Sequence, residues 1–272
     1  MSIPVSYDSV TSGDGTPQWS VIVPYFNERD FIAGSVRSAM AQTGTSLQLI
    51  LVDNASTDGS EDVCRALLAE KPGLVVRFLR EDRPGQIIAL ETGFAAVDTP
   101  FTAFWDADTH YPPHYLAEAE RLLADGRHVV AQAIDLYAPP DSYASKVQKL
   151  RLLATQKLLD RNGHTGSFGQ CFRTEALRRA GGPRSAQWPY VLYDHELMQR
   201  MFKVGKGTGS LDLWCAPAPR RKASAHVRWS LFERLMYAFT PFAAKDWFFY
   251  RFLARRFEKR SMVQQNLRVR DW

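Results

Sequence analysis

Residues 49–60 read Leu49-Ile50-Leu51-Val52-Asp53-Asn54-Ala55-Ser56-Thr57-Asp58-Gly59-Ser60, and this stretch decides the fold. Four apolar residues in a row suit a strand buried on both faces, the kind that parallel sheets use. The run ends on the carboxylate of Asp53. Ser56, Thr57 and Asp58 then supply N-cap chemistry for a helix, so the stretch is one strand-tip-helix unit. Capping accounts for the last three residues but not for Asp53 directly after the apolar run. A carboxylate in that position can accept hydrogen bonds from a nucleobase or a ribose.

Working outward, short apolar runs alternate with helical spacing on both sides. Strands are expected at 19–24, 47–53, 75–79, 101–106 and 129–134, and helices at 29–42, 60–70, 84–97 and 113–124. That alternation predicts an α/β fold with a mostly parallel sheet flanked by helices. Ligands bind beyond the carboxyl ends of the strands in such sheets. The residues expected there are Tyr25-Phe26-Asn27-Glu28, Asp53-Asn54, Glu81-Asp82-Arg83-Pro84-Gly85 and Asp106-Ala107-Asp108. A helix is expected at 143–160, then a Gly-rich loop at 161–169 and a helix at 174–180 that stops at Gly181-Gly182-Pro183.

Trp105-Asp106-Ala107-Asp108 closes an apolar strand with two carboxylates two residues apart. Such a pair presents oxygen ligands to one hard divalent cation, and Mg²⁺ or Mn²⁺ with a diphosphate completing its shell is the natural occupant. By itself the pair reads equally well as a solvated turn. The expectation is that Asp53, Asp106 and Asp108 share one cradle for a cation and a diphosphate.

Val21-Ile22-Val23-Pro24-Tyr25-Phe26-Asn27-Glu28, Val52-Asp53-Asn54-Ala55-Ser56-Thr57-Asp58, Arg83-Pro84-Gly85 with Ala89 and Gly93, and Trp105-Asp106-Ala107-Asp108 occur in that order. On these four motifs, over residues 19–205, the chain resembles the family 2 glycosyltransferases of GT-A fold. The resemblance implies that Pro24, Tyr25, Asn27, Glu28, Asp53, Arg83, Gly85, Asp106 and Ala107 bind a nucleotide-sugar, with Asp53 near the base and Arg83 near the base or phosphates. It implies that Asp106 and Asp108 hold the metal, and that the donor is a UDP-sugar more often than a GDP- or dTDP-sugar.

Leu192-Tyr193-Asp194-His195-Glu196-Leu197 opens another helical stretch. The family commonly has an acidic pair here, whose Asp deprotonates the acceptor hydroxyl for in-line attack and inversion. Asp194 aligns with that base, while Tyr193 departs from the usual Glu. A carboxylate near the metal and the acceptor is a sound base, because the hydroxyl loses its proton as the new bond forms. The structural alternative is that Asp194 caps its helix, and Glu196 and His195 are reserve bases. His226 stands where some relatives supply a further metal ligand, and neutral imidazole suits Mn²⁺ better than Mg²⁺. His164 could touch the acceptor, but a loop surface is the better account of it.

Composition bounds the rest. The chain has 272 residues, 45% hydrophobic and 23% charged, which is ordinary globular usage. Three separated cysteines fit neither a disulfide framework nor a zinc cluster, so a reducing cytosol is expected. Residues 1–18 read as a tail without a signal segment, 19–219 as the catalytic domain and 220–272 as a helical extension. That extension carries 13 Lys and Arg against 4 Asp and Glu. Eleven aromatics between Trp229 and Phe257 interleave with cations, which fits a helix lying in an anionic membrane interface on the cytoplasmic face of the inner membrane. It fits equally a segment that packs back on the catalytic domain or forms a dimer seam. No nucleic-acid-binding module appears. The function expected is an inverting, metal-dependent sugar transfer to a glycan or lipid-linked acceptor in cell-envelope synthesis. The alternatives are a degenerate nucleotide-sugar or membrane-binding module and, more remotely, a sugar nucleotidyltransferase, which would carry a Gly-rich phosphate loop after its first strand.

Overall fold

The computed structural model describes residues 16–159, 169–218 and 229–263. The expected strand-helix alternation is present: β1 (Trp19–Tyr25), α1 (Ile32–Met40), β2 (Leu47–Asp53), α2 (Ser60–Ala69), β3 (Val75–Arg80), α3 (Gln86–Ala95) and β4 (Phe101–Phe104). There follow β5 (Thr109–His110), α4 (Tyr115–Leu123), β6 (His128–Ala131), β7 (Ile134–Asp135), α5 (Tyr143–Leu159), β8 (Gln170–Arg173), α6 (Thr174–Arg179), α7 (Tyr193–Val204), β9 (Lys206–Thr208) and β10 (Trp214–Pro217). Seven strands form one sheet in the order β3-β2-β1-β4-β8-β6-β9, and β5-β10-β7 form a smaller one. The first four strands run parallel, whereas β8 is antiparallel to both β4 and β6.

Strand order reverses between β1 and β4, because β2 and β3 lie on one side of β1 and the later strands on the other. That is the point where an open α/β sheet forms its ligand crevice. The pleat sorts side chains to two cores. Val21, Val23, Leu49 and Leu51 pack with Ile32, Val36 and Ala39 of α1, Cys64 and Leu67 of α2, and Leu116 and Leu123 of α4. Ile22, Ile50, Val52 and Phe104 pack on the other face with α3, α6 and α7, whose contributors include Leu90, Leu177, Leu197 and Met201. Both faces are covered, as a parallel sheet requires. Gly93 sets how closely α3 lies on the sheet: a Cβ there would stand 2.5 Å from Cγ2 of Ile22 and 3.0 Å from Cγ2 of Val52.

Two expectations are corrected in detail. The strand expected to run to residue 106 ends at Phe104, since Trp105 stacks on Tyr111 (centroids 3.8 Å, 8°) and the Tyr111 hydroxyl accepts the Asp106 amide at 2.9 Å. The strand expected at 129–134 is divided between the two sheets. The Gln132 amide donates to the Thr208 carbonyl of β9 and the Ile134 amide to the Leu213 carbonyl, so the chain changes partners at residue 133.

The extension forms α8 (Leu231–Phe239), a 3₁₀ turn (Phe242–Ala244), α9 (Lys245–Trp247), a π-helical stretch (Phe248–Leu253) and α10 (Ala254–Lys259). Ser230 and Glu233 close a capping box at the start of α8. Phe248, Phe249, Leu253 and Phe257 are fully buried in a third core with Trp188 and Val191, so many of the aromatics pack back on the preceding chain. Among the described residues no helix is long and apolar enough to cross a membrane.

Candidate active site

The β1 and β2 tips are tied together by a ring of polar contacts. Asn27, in left-handed backbone (φ 53°), accepts the Thr57 amide on Oδ1 at 2.9 Å and donates its own amide to the Ser56 hydroxyl at 3.1 Å. The Glu28 amide donates to the Ser60 hydroxyl at 2.9 Å. Asp53 is buried at the end of β2, where Oδ1 accepts the Ser56 amide at 2.8 Å and Oδ2 accepts Nη1 of Arg80 at 3.1 Å. Pro24, the last residue but one of β1, lies beside Val52. Tyr25 turns its ring into the first core rather than into the crevice, and its carbonyl accepts the Asn54 amide. Burial first, then the Asp53 charge, raises its phenol above the ordinary value.

Asn54, placed at the ligand edge by the sequence but given no role by it, organises the third tip. Its side-chain amide donates to the carbonyls of Glu81 (2.7 Å) and Arg83 (2.8 Å), and its oxygen accepts the Gly85 amide at 3.0 Å. Gly85 has φ +136°, a backbone that L side chains rarely adopt, which explains the glycine in this motif. Arg83 is held by Glu81 through two guanidinium contacts of 2.9 Å, and the Thr92 hydroxyl donates to the same carboxylate at 2.6 Å. The Arg83 hydrogen bonds, followed by that from Thr92, outweigh the cost of burial and hold the Glu81 carboxyl down to about 2.

At the β4 tip, Nε2 of Gln86 donates to Oδ1 of Asp106 at 2.8 Å. Burial, then the charges of Asp108 and Asp135 and, more weakly, Asp194, push the Asp106 carboxyl up to about 8 against that hydrogen bond. Three carboxylates from separate parts of the chain therefore act on Asp106. Asp135 sits on β7 and accepts the Cys215 thiol of the neighbouring β10 at 3.6 Å. Asp194 is buried on the first turn of α7. The N-cap of that helix is Leu192, in left-handed backbone (φ 60°, ψ 38°), so Asp194 lies inside the helix and is not its cap. Tyr193 also faces Asp106 and Asp194, whose charges, after burial, raise its phenol well above the ordinary value.

The structure thus sets Asp108, Asp135 and Asp194 within reach of the charge of Asp106, and leaves Asp53 one tip away with Arg80 as its partner. Glu196 is occupied by Arg200 and Tyr250, and His195 packs against the rings of Trp229 and Tyr237 (5.0 and 5.5 Å), so both reserve candidates are engaged by these neighbours. The Ala218 amide donates to the Asp108 carbonyl at 2.8 Å, which leads the chain past the acidic tip. His226 and His164 lie outside the described residues.

Among the described residues no three His, Cys, Asp or Glu side chains could hold a metal ion by themselves. A cation that takes one or two carboxylates and completes its shell with substrate phosphates needs no such cage. The mutual repulsion at Asp106 is what a divalent cation would relieve, so the donor set fits Mn²⁺ or Mg²⁺.

A switch-point crevice lined by these tips, on a sheet of this order, is the GT-A architecture of nucleotide-sugar transferases. The profile of Glycosyl transferase family 2 matches residues 20–181, and the chain belongs to that family. It is 31% identical over 115 residues to the undecaprenyl-phosphate 4-deoxy-4-formamido-L-arabinose transferase of Serratia proteamaculans, covering 41% of this chain and 35% of that one. The chain spans about a third of the length of the curated relatives it matches. In fold it is similar to the mannosyltransferase PcManGT of Pyrobaculum calidifontis, solved with GDP-Man and Mn²⁺ (TM-score 0.61, 22% identity, 82% of this chain and 63% of that one). It is similar also to S. aureus TarS 1–349, solved with UDP-GlcNAc (TM-score 0.60, 17% identity, 89% and 73%).

Proposed function

We propose that this chain is an inverting, metal-dependent glycosyltransferase. It moves a sugar from a nucleotide-sugar, a UDP-sugar in the first instance, to a hydroxyl of a glycan or lipid-linked acceptor in cell-envelope glycoconjugate synthesis. The observation that carries this reading is the convergence of Asp106, Asp108, Asp135 and Asp194 beside the tips of β1, β2 and β4. The relative named for undecaprenyl-phosphate supports a lipid-linked acceptor, and therefore work at the cytoplasmic face of a membrane.

Asp53 and the loop closed by Asn54 and Gly85 receive the nucleoside, with Asn27 and Glu28 across the crevice and Arg83 within reach of the phosphates. Asp106 and Asp108 hold Mn²⁺ or Mg²⁺, which when bound offsets the negative charge that grows on the departing diphosphate. Gln86 and the Tyr111 hydroxyl keep Asp106 aimed. Asp194 takes the proton of the acceptor hydroxyl as that oxygen bonds to the anomeric carbon and the bond to the diphosphate breaks on the opposite face. Residues 19–219 carry these groups, and 220–272 act as an extension.

The test is donor turnover by the full chain with UDP-, GDP- and dTDP-sugars, each with and without Mn²⁺ or Mg²⁺. Cation-dependent release of nucleoside diphosphate that disappears in Asp108→Ala supports the reading. Nucleotide-sugar binding without turnover across donors and acceptors would replace it with a degenerate binding module.

A further inference from the structure

Helix α8 is built inside out. Its acidic residue, Glu233, is 0% exposed and is held by Arg256 at 2.7 Å and Arg260 at 2.6 Å. Met236 and Tyr237 pack against the third core, but four of its apolar residues face outward: Leu231 is 74% exposed, Phe232 53%, Leu235 47% and Phe239 80%. At 100° per residue these four and Ala238 fall on one continuous arc about a third of the helix wide, with Arg234 at its border. The patch continues across the segment. Phe232 meets Phe252 edge-on (6.0 Å), and Phe252 stacks on Trp247 (5.7 Å), itself 51% exposed. Five of the largest exposed apolar side chains thus share one face of the extension, where a soluble surface would place polar ones.

The charges around the patch select its occupant. Glu233 is neutralised by its two arginines, and Asp246 is paired with Lys203 at 2.5 Å. Arg234, Arg251, Arg255 and Lys259 are exposed and have no ion pair among the described residues. An apolar face edged by unpaired cations is complementary to acyl chains beneath anionic headgroups. The chain's own 219–228 and 264–272 are basic and mostly polar in sequence, and a second copy would bring the same cations, so neither complements the face.

We propose that the outer face of α8, with Trp247, is the surface by which this protein docks on an anionic phospholipid bilayer, seating Leu231, Phe232, Leu235 and Phe239 among the acyl chains. This names the membrane contact for the reading above and rests on it for purpose, but not for the binding itself.

The experiment is flotation of the full-length protein with phosphatidylglycerol-containing vesicles and with pure phosphatidylcholine vesicles, at low and high salt. Three variants accompany the wild type: Leu235→Glu/Phe239→Glu, Arg234→Glu/Arg251→Glu, and Leu150→Glu on the exposed stripe of α5, each checked for unchanged thermal unfolding. The wild type is expected to float with the anionic vesicles. Both double variants should weaken that binding by about tenfold or more, and Leu150→Glu should leave it unchanged. Failure of the wild type to float, equal binding by the double variants, loss only in Leu150→Glu, or a wild-type dimer that the Leu235→Glu/Phe239→Glu change dissociates would each overturn the proposal. Donor hydrolysis measured without vesicles reads the transferase function separately. Retained hydrolysis with no flotation removes the docking surface alone, and flotation with no hydrolysis removes the transferase reading alone.

Discussion

The Tyr250 hydroxyl donates to Oε1 of Glu196 at 2.5 Å, joining the C-terminal segment to the helix that carries Asp194. Glu196 is almost fully buried, and Nε of Arg200 reaches both of its oxygens at 2.9 and 3.1 Å. The same guanidinium donates to the carbonyls of Ala180, Gly182 and Pro183, so one ion pair fastens α7, the turn after α6 and the extension. Buried pairs of this kind fix geometry more reliably than they add stability. Tyr250 is a positioning residue for α7 in this arrangement.

Removing that hydroxyl isolates the coupling. Tyr250→Phe keeps the ring in place and the Arg200 pair intact, so it should lower stability by about 1.5–3 kcal/mol, the range for a hydrogen bond to a charged group. Amide exchange should accelerate in residues 245–259 and in the first turn of α7 while β1 and β2 keep their protection. Unchanged exchange in α7 would show that the extension does not steady the helix that carries Asp194.

Much of this could be read from the chain because the governing signals are local. Four apolar residues before Asp53 specify a buried strand whatever surrounds them, and Gly85 and Gly93 mark backbone that a Cβ would disturb. The extra members of the site are different. Asp135 belongs to it only because β7 leaves the large sheet and pairs with β10, whose Cys215 is 80 residues away. Asn54 acts through carbonyls about 30 residues distant, and Gln86 reaches an aspartate 20 residues on. β9 and β10, three and four residues long, carry no alternation that would reveal them. The division of the extension's aromatics into buried and exposed sets depends on Trp188 and Val191, which no periodicity within 220–272 contains.

Glu81 gives a pH signature. Its carboxyl is held at about 2, below the ordinary 4.5, chiefly by Arg83. A depressed acid stabilises the fold at pH above its unfolded value and loses that contribution as pH falls toward the folded one. The stability difference between wild type and Glu81→Gln should therefore be full above about pH 4.5 and shrink toward zero near pH 2. Arg83 is exposed, which screens the pair, so the difference at neutral pH should be about 1 kcal/mol. Urea midpoints of both proteins at several pH values measure it.

Lys245 predicts a second rise of stability with pH, at the alkaline end. It is buried, its ammonium donates to the Tyr237 carbonyl and lies 3.5 Å from the Tyr237 ring centre, and burial lowers its amino group to about 8 from 10.5. Between those values the unfolded chain holds a proton that the folded chain has lost, so stability rises with pH across that window. The rise attributable to this group is about 3 kcal/mol at most. Lys245→Met should lack it, which paired unfolding curves at pH 7.5 and 10 would reveal. A parallel rise in the variant would assign the trend to other groups.

Asp194→Asn separates a base from a structural carboxylate. Asparagine keeps the size and the hydrogen-bonding reach of the side chain but cannot accept the acceptor's proton, so nucleotide-sugar affinity should stay within about threefold while transfer slows by roughly 10²–10⁴-fold. If Asp194 only relieved the dipole at the start of α7, the variant would lose a few tenths of a kcal/mol of stability and keep its rate. The two roles also differ in pH. A base loses its rate as acid protonates it, so the wild-type rate should fall on the acid side with a slope that the slow residual rate of Asp194→Asn does not share. Isothermal titration of the donor beside the two pH-rate profiles distinguishes them, and an unchanged rate in Asp194→Asn would move the search for the base to Asp135, the other buried carboxylate that acts on Asp106.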